Sequence, residues 1–238
     1  MTDIAPQFVV VTGASRGIGR ALAERAAAAG ARVALLARSE GPLRALADAL
    51  GPRAHALPCD LADPAAVARA AASIAALDPA GPDVLVNNAG LFTLAPVVDT
   101  TPDAFRATLD TNLVAPFLLV RALLPALRRR ANATIVTVGS IADRAAFPGN
   151  AAYAASKFGV RALHEVLRAE LAGSGVRAVL VSPGPVDTPL WDAHDPDATP
   201  GFTKRAMMLR PEDVADAAWW AATRPAHVNV DELRLSRS

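Results

Sequence analysis

Tyrosine and cysteine are almost absent from this chain: 238 residues carry one of each. A lone Cys59 cannot close an internal disulfide, which excludes a disulfide-stapled scaffold and suits a reducing compartment such as the cytoplasm. An excess of either charge is missing too, since 24 Lys+Arg stand against 23 Asp+Glu. That balance gives no reason to expect nucleic acid or an anionic membrane as partner. The densest basic patch, "LRRR" at 127–130, ends an apolar helix, where cations complement the helix dipole; an anionic partner is the alternative. The four histidines, His55, His164, His194 and His227, lack metal-ligand spacing, so no metal is expected and solvated or capping roles are the default. The opening "MTDIAPQ" shows no basic region or long apolar stretch, and no secretory signal is read there. The longest apolar run, "LVAPFLLV" extended by "ALLPAL", is cut by Arg121 and two prolines and reads as too short and broken to span a bilayer.

What is present is 52% apolar residue in a regular alternation. Short β-rich runs ("FVVVTG", "RVALLAR", "AHALPCD", "DVLVNNAG", "ATIVTVGS", "VRAVLVSPG", "VDELRLS") alternate with alanine- and leucine-rich helical stretches. Gly30 stops the first helix, Asp63 and Pro64 open the third, and Pro116 interrupts a long helix over about 102–127. Strands apolar on both faces predict a parallel sheet covered by helices on each side. The expectation is one α/β domain with a doubly wound (Rossmann) parallel sheet of about seven strands.

Gly13, Gly17 and Gly19 lie in "VTGASRGIGRA", where the first strand hands over to the first helix. Such a turn lets backbone N–H groups approach a pyrophosphate closely, although glycines also mark ordinary turns. At the end of the second strand an NAD site usually places an acid for the ribose 2′-hydroxyl. Here stand Ala37 and Arg38, with Arg16 in the glycine turn, and two guanidiniums without an acid suit a 2′-phosphate. NADP(H) is therefore the expected cofactor. Asp60 after the third strand and "NNAG" at 87–90 fit adenine and ribose, with plain turn chemistry as the alternative.

The single tyrosine falls in "AAYAASKFGV", four positions before Lys157. On a helix over 151–172 the two share a face, and a nearby ammonium is expected to lower the phenol's pKa so that Tyr153 can exchange a proton with a carbonyl oxygen. Ser140, ending the fifth strand, would face the same crevice, and Asn112, in an apolar helix, needs either a backbone bond or a relay water to justify it.

Taken in order, Thr12-Gly13, Gly17-Ile18-Gly19, Asn87-Asn88-Ala89-Gly90, Asn112, Ser140, Tyr153 with Lys157, and "PGPVDT" at 183–188 resemble the short-chain dehydrogenase/reductase superfamily in its NADP(H)-preferring type. The resemblance implies Tyr153 as proton donor, Ser140 as partner of the substrate oxygen, Lys157 as tuner and ribose ligand, and Asn112 as anchor of a relay water. It further implies cofactor contacts from Gly13, Ser15, Arg16, Gly17, Ile18, Gly19 and Arg38, adenine contacts at Asp60 and Leu61, and a ribose wall at Asn88, Ala89 and Gly90. Pro183, Gly184, Val186 and Thr188 would surround the nicotinamide. The implied reaction is carbonyl–alcohol interconversion by hydride transfer; the alternatives are a 3-ketoacyl-carrier reductase and a non-catalytic NADPH-binding regulator.

The long loop 185–210 is expected to be a substrate lid, with Leu190, Trp191, Phe202, Met207 and Met208 facing Phe92, Leu94 and Phe147 across an apolar pocket. Adjacent Trp219 and Trp220 cannot share a helix face. Extra apolar residues on 102–127 and 151–172 (Leu113, Phe117, Val120, Leu124, Val160, Leu163 and Leu167) suggest a homodimer or homotetramer.

Overall fold

The computed structural model describes residues 7–130 and 132–238; the leading segment read for a signal lies almost wholly outside them. Seven parallel strands form one sheet in the order β3-β2-β1-β4-β5-β6-β7. They are β1 (Phe8–Thr12), β2 (Arg32–Ala37), β3 (Ala54–Pro58), β4 (Val84–Asn87), β5 (Ala133–Val138), β6 (Val176–Pro183) and β7 (Glu232–Leu235). Successive side chains of a strand point to opposite faces, and both faces are used here. Val9, Val11, Val33 and Leu35 enter a core beneath α1 (Gly17–Ala28), α2 (Glu40–Leu50) and α7 (Pro211–Ala222). Phe8, Val10, Ala34 and Leu36 enter a second core beneath α3 (Pro64–Leu77), α5 (Ala115–Leu127) and α6 (Ala151–Leu171). The doubly wound parallel sheet expected from the sequence is therefore the observed one.

Order reverses between β1 and β4, whose carboxyl ends open a crevice in such sheets. The turn residues behave as their chemistry dictates: Asp63 accepts from the Ala65 N–H at 2.8 Å, and Gly30 ends α1 at φ +88°.

The helix over 102–127 departs from expectation. It runs unbroken through α4 (Pro102–Leu109), a π-helical turn at Asp110–Val114, and α5. Pro116 does not break it, because it falls in the first turn past the π segment, where the Ala115 N–H reaches back five residues to the Asp110 carbonyl. The combined 26-residue helix is long and apolar enough to cross a membrane by length and composition, contrary to the reading of its apolar run. Its Ala115, Leu119, Leu123 and Leu127 are instead buried against the sheet. The basic patch at its end is structural: Arg130 pairs with Asp78 at 2.9 Å, and Arg129 donates to the Pro79 carbonyl at 3.0 Å.

Other expectations need adjustment. Of the apolar residues assigned to an oligomer face, Val120, Val160 and Leu167 are buried in the protomer's own interior. The large exposed apolar side chains on these helices are Val114, Phe117, Phe158 and Val166. His164 is buried rather than solvated, with its Nε2 3.1 Å from the Asp231 carbonyl. Cys59 lies just past β3, buried, its thiol pushed up to about 11 chiefly by desolvation, as an inert thiol should be. Trp219 is buried and Trp220 half exposed.

Candidate active site

The glycine turn is built by its neighbour strand. Thr12 ends β1, and its Oγ1 accepts from the N–H groups of Asn88 and Ala89 at 2.9 and 3.0 Å while donating to the Val86 carbonyl. The Asn88 amide donates to the Thr12 carbonyl at 2.9 Å. These bonds stitch the ends of β1 and β4 so closely that a Cβ on Gly13 would lie 2.8 Å from the Ala89 Cα, and one on Gly19 only 2.3 Å from the Gly13 carbonyl oxygen. Gly13 also sits at φ +66°, which L side chains rarely adopt.

Above this stitch opens a cavity of about 1090 Å³. One half is walled by Gly13, Ser15, Arg16, Gly17, Ile18, Arg38, Asp60, Leu61, Asn88, Ala89 and Gly90, the other side of the floor by Pro183, Gly184, Val186 and Thr188. Arg16 and Arg38 are exposed at its rim, and among the described residues neither pairs with a carboxylate. The first turn of α1 carries no acid, so nothing opposes an anion at its N-terminus. Gly19 alone of the glycine set does not reach the cavity; it lies beneath the turn against Gly13.

Ser140, Tyr153 and Lys157 line the same cavity. Ser140 caps a 3-10 turn over Ile141–Asp143, its Oγ accepting from the Ala142 N–H at 3.1 Å. Lys157 is buried, donates to the Val138 carbonyl at 2.8 Å, and places Nζ 5.5 Å from the centre of the Tyr153 ring. Burial draws this ammonium down to about 8, against the charge of Asp143, which holds it up. Burial also lifts the phenol above its ordinary value, with Asp143 adding to the rise and the Ser140 interaction opposing it. The expected lowering of Tyr153 by Lys157 is not what the site shows: burial raises the phenol, only the Ser140 interaction pulls it down, and it stays protonated at neutral pH.

Asp143 was not foreseen. It is fully buried behind the trio, accepts from Ser182 Oγ and from Arg144 Nε (2.8 Å), and lies 3.9 Å from Arg161. Its spacing three residues after Ser140 is a capping-box pattern that the sequence displays. Asn112, in the π turn, does not line the cavity. Its amide oxygen accepts from the Leu91 N–H at 2.7 Å, and its nitrogen donates to the Leu91 carbonyl and to Ser156 Oγ, both at 2.9 Å. Ser156 in turn donates to the Tyr153 carbonyl. Of the two roles weighed for Asn112, the side chain fills the backbone-bonding one, clamping the loop after β4 onto the tyrosine's helix.

The other half of the cavity is apolar. Phe92 meets Tyr153 edge-on at 4.9 Å and Trp191 at 5.1 Å, and Trp191 meets Phe202 at 5.8 Å. Leu94, Phe147 and Leu190 complete the wall as expected, but Met207 is exposed and Met208 buried elsewhere. Within 185–210, Arg205 bonds both Asp187 and Asp192 at 2.7 Å and straps the segment closed on itself.

The family model described as short chain dehydrogenase matches residues 7–199. The chain belongs to that family. It is 40% identical over 193 residues to a dehydrogenase/reductase SDR family member 7B of Bos taurus, covering 76% of this chain and 58% of that longer relative. The NADP-dependent 3-hydroxy acid dehydrogenase of Escherichia coli (strain K12) is 32% identical over 234 residues, 96% of this chain and 94% of its own. Among solved structures, a metagenomic short-chain oxidoreductase in complex with NADP aligns with TM-score 0.84 and 32% identity over 100% and 99% of the two chains. The closed form of a serine dehydrogenase complexed with NADP+ aligns at 0.87 and 32%, over 96% and 94%. As a short-chain dehydrogenase, the chain is an oxidoreductase whose tight, acid-free glycine turn fits a dinucleotide phosphate.

Proposed function

We propose that the protein is an NADP(H)-dependent carbonyl reductase that interconverts a ketone or aldehyde and its alcohol. The observation that carries this reading is the convergence of the Ser140–Tyr153–Lys157 trio and the Arg16/Arg38 turn on one cavity. Relatives named or titled with NADP support the cofactor, and the two rim guanidiniums supply the charge that a 2′-phosphate requires.

NADPH, when bound, supplies the hydride. Gly13, Ser15, Arg16, Gly17, Ile18 and Arg38 would hold its phosphates, Asp60, Leu61, Asn88, Ala89 and Gly90 would hold the adenosine, and Pro183, Gly184, Val186 and Thr188 would hold the nicotinamide. The substrate oxygen sits between Ser140 Oγ and the Tyr153 phenol. Tyr153 donates its proton to that oxygen, and its raised pKa suits reduction, which needs the phenol protonated at neutral pH. Lys157, poised at about 8, keeps an exchangeable proton beside the phenol. Asn112 acts through Ser156 to fix the helix that carries Tyr153, and loop 185–210 closes over substrate as a lid. Exposed Phe117, Phe158 and Val166 support assembly as a homodimer or homotetramer, and the single cysteine suits a reducing compartment such as the cytoplasm.

The test follows NADPH and NADH consumption across aldehydes, ketones, diketones and quinones, in the wild type and Tyr153→Phe. Turnover with NADPH that the variant loses supports the reading. Tight NADPH binding without turnover on any substrate returns the regulator alternative, and a preference for NADH refutes the role given to Arg16 and Arg38.

A further inference from the structure

Asn150 occupies the cap position of α6 without capping it. An asparagine there ordinarily turns its side-chain oxygen onto the N–H groups of the first turn, yet α6 begins with no such bond. The residue is 6% exposed and lines the cavity, and its Oδ1 is shut off from water with no hydrogen-bond partner. Its backbone is fixed on both sides, the N–H donating to the Phe147 carbonyl at 3.2 Å and the carbonyl accepting from Ala154 at 2.8 Å. Buried polar groups are almost always paired, because an unpaired one forfeits its bonds to water. A rigidly placed carboxamide that neither caps nor pairs, three residues before the proton donor, is a group waiting for a ligand.

We infer that Asn150 determines specificity by hydrogen-bonding a second, uncharged oxygen of the substrate, one or two carbons from the reacting carbonyl. The substrates so favoured are hydroxyketones and diketones, and the inference rests on the carbonyl-reductase reading. Asn150 and Tyr153 stand three residues apart at the start of α6 and line the same cavity, so one substrate can meet both. A carboxamide offers both a donor and an acceptor but no charge. The cavity's cations, Arg16, Arg38 and Lys157, stand at the glycine turn and behind the phenol, whereas the wall on Asn150's side carries Phe92, Leu94, Phe147 and Trp191. A substrate carboxylate there would lie without a counter-charge, which separates this site from one suited to a hydroxy acid.

The experiment compares 2-hydroxyacetophenone with acetophenone, which differ by that one oxygen. It measures kcat/KM with NADPH for the wild type, Asn150→Ser and Asn150→Leu, and the thermal midpoint of each protein without ligand. The wild type is expected to favour the hydroxyketone by at least about tenfold. Both variants should lose most of that advantage, while Asn150→Ser melts no lower than wild type because serine is a competent cap. A ratio that persists in the variants overturns the inference, whether or not they are less stable. Equal efficiency on the two ketones in the wild type overturns it while leaving the carbonyl-reductase reading intact. Turnover of neither by the wild type overturns the inference, and the wider panel of aldehydes, diketones and quinones then decides the carbonyl-reductase reading separately.

Discussion

Replacing Lys157 with methionine should abolish turnover and yet stabilise the protein at neutral pH. The ammonium is buried, and its pKa falls from 10.5 to about 8 on folding. Below pH 8 the folded protein must keep a charge that the unfolded chain keeps more easily, so the lysine opposes folding there. Between pH 8 and 10.5 the folded state sheds that proton first and the penalty fades. A drop of about 2.5 units corresponds to roughly 3.4 kcal/mol of destabilisation at pH 7, and to roughly 1.4 kcal/mol at pH 9.5. Methionine removes all of it but orphans the Val138 carbonyl, a loss of about 1–3 kcal/mol that does not depend on pH. The variant's advantage in melting temperature should therefore shrink by about 4–8 °C between pH 7 and 9.5, taking ~2–4 °C per kcal/mol for a chain of this size. Differential scanning calorimetry of both proteins over that range measures it. A difference in Tm that stays constant with pH would refute the claim that Lys157 carries an unfavourable buried charge.

Two further outcomes follow from the same geometry. Thr12→Val keeps shape but strips the acceptor from two N–H groups, and should cost about 2–4 kcal/mol in urea unfolding and weaken NADPH binding measured by fluorescence. Asp143→Asn removes a charge that raises both Tyr153 and Lys157, so the alkaline limb of the pH–rate profile for ketone reduction should move to lower pH; an unmoved limb would assign Asp143 to structure alone.

The sheet was legible because its strands are apolar on both faces and its turns carry residues with few alternatives, such as Gly30 and the Asp63–Pro64 pair. The glycine turn and the Tyr153–Lys157 pair were legible for the same reason: their chemistry is local in sequence. What escaped was long-range. Thr12 meets its partners 76 and 77 positions away, and Asp143 meets Ser182 at a distance of 39. No periodicity announces such meetings. Pro116 misled because a proline near a helix start and one that breaks a helix look alike in a sequence. Met207 and Met208 misled because the path of an irregular loop is set by contacts such as the Arg205 strap, which composition does not encode.

The π turn at Asp110–Val114 has a meaning in terms of rotational phase. One additional residue in a helix advances everything beyond it by about 100° around the axis. Upstream, α4 packs on α6; downstream, α5 packs on α3 and β5. A uniform helix presents one apolar stripe and would have to favour one set of neighbours over the other. The extra residue lets a single continuous rod face two directions, and the place where its phase slips is where Asn112 reaches out to the loop after β4. Deleting one residue from 110–114 would restore a regular helix and turn one of those faces out of register.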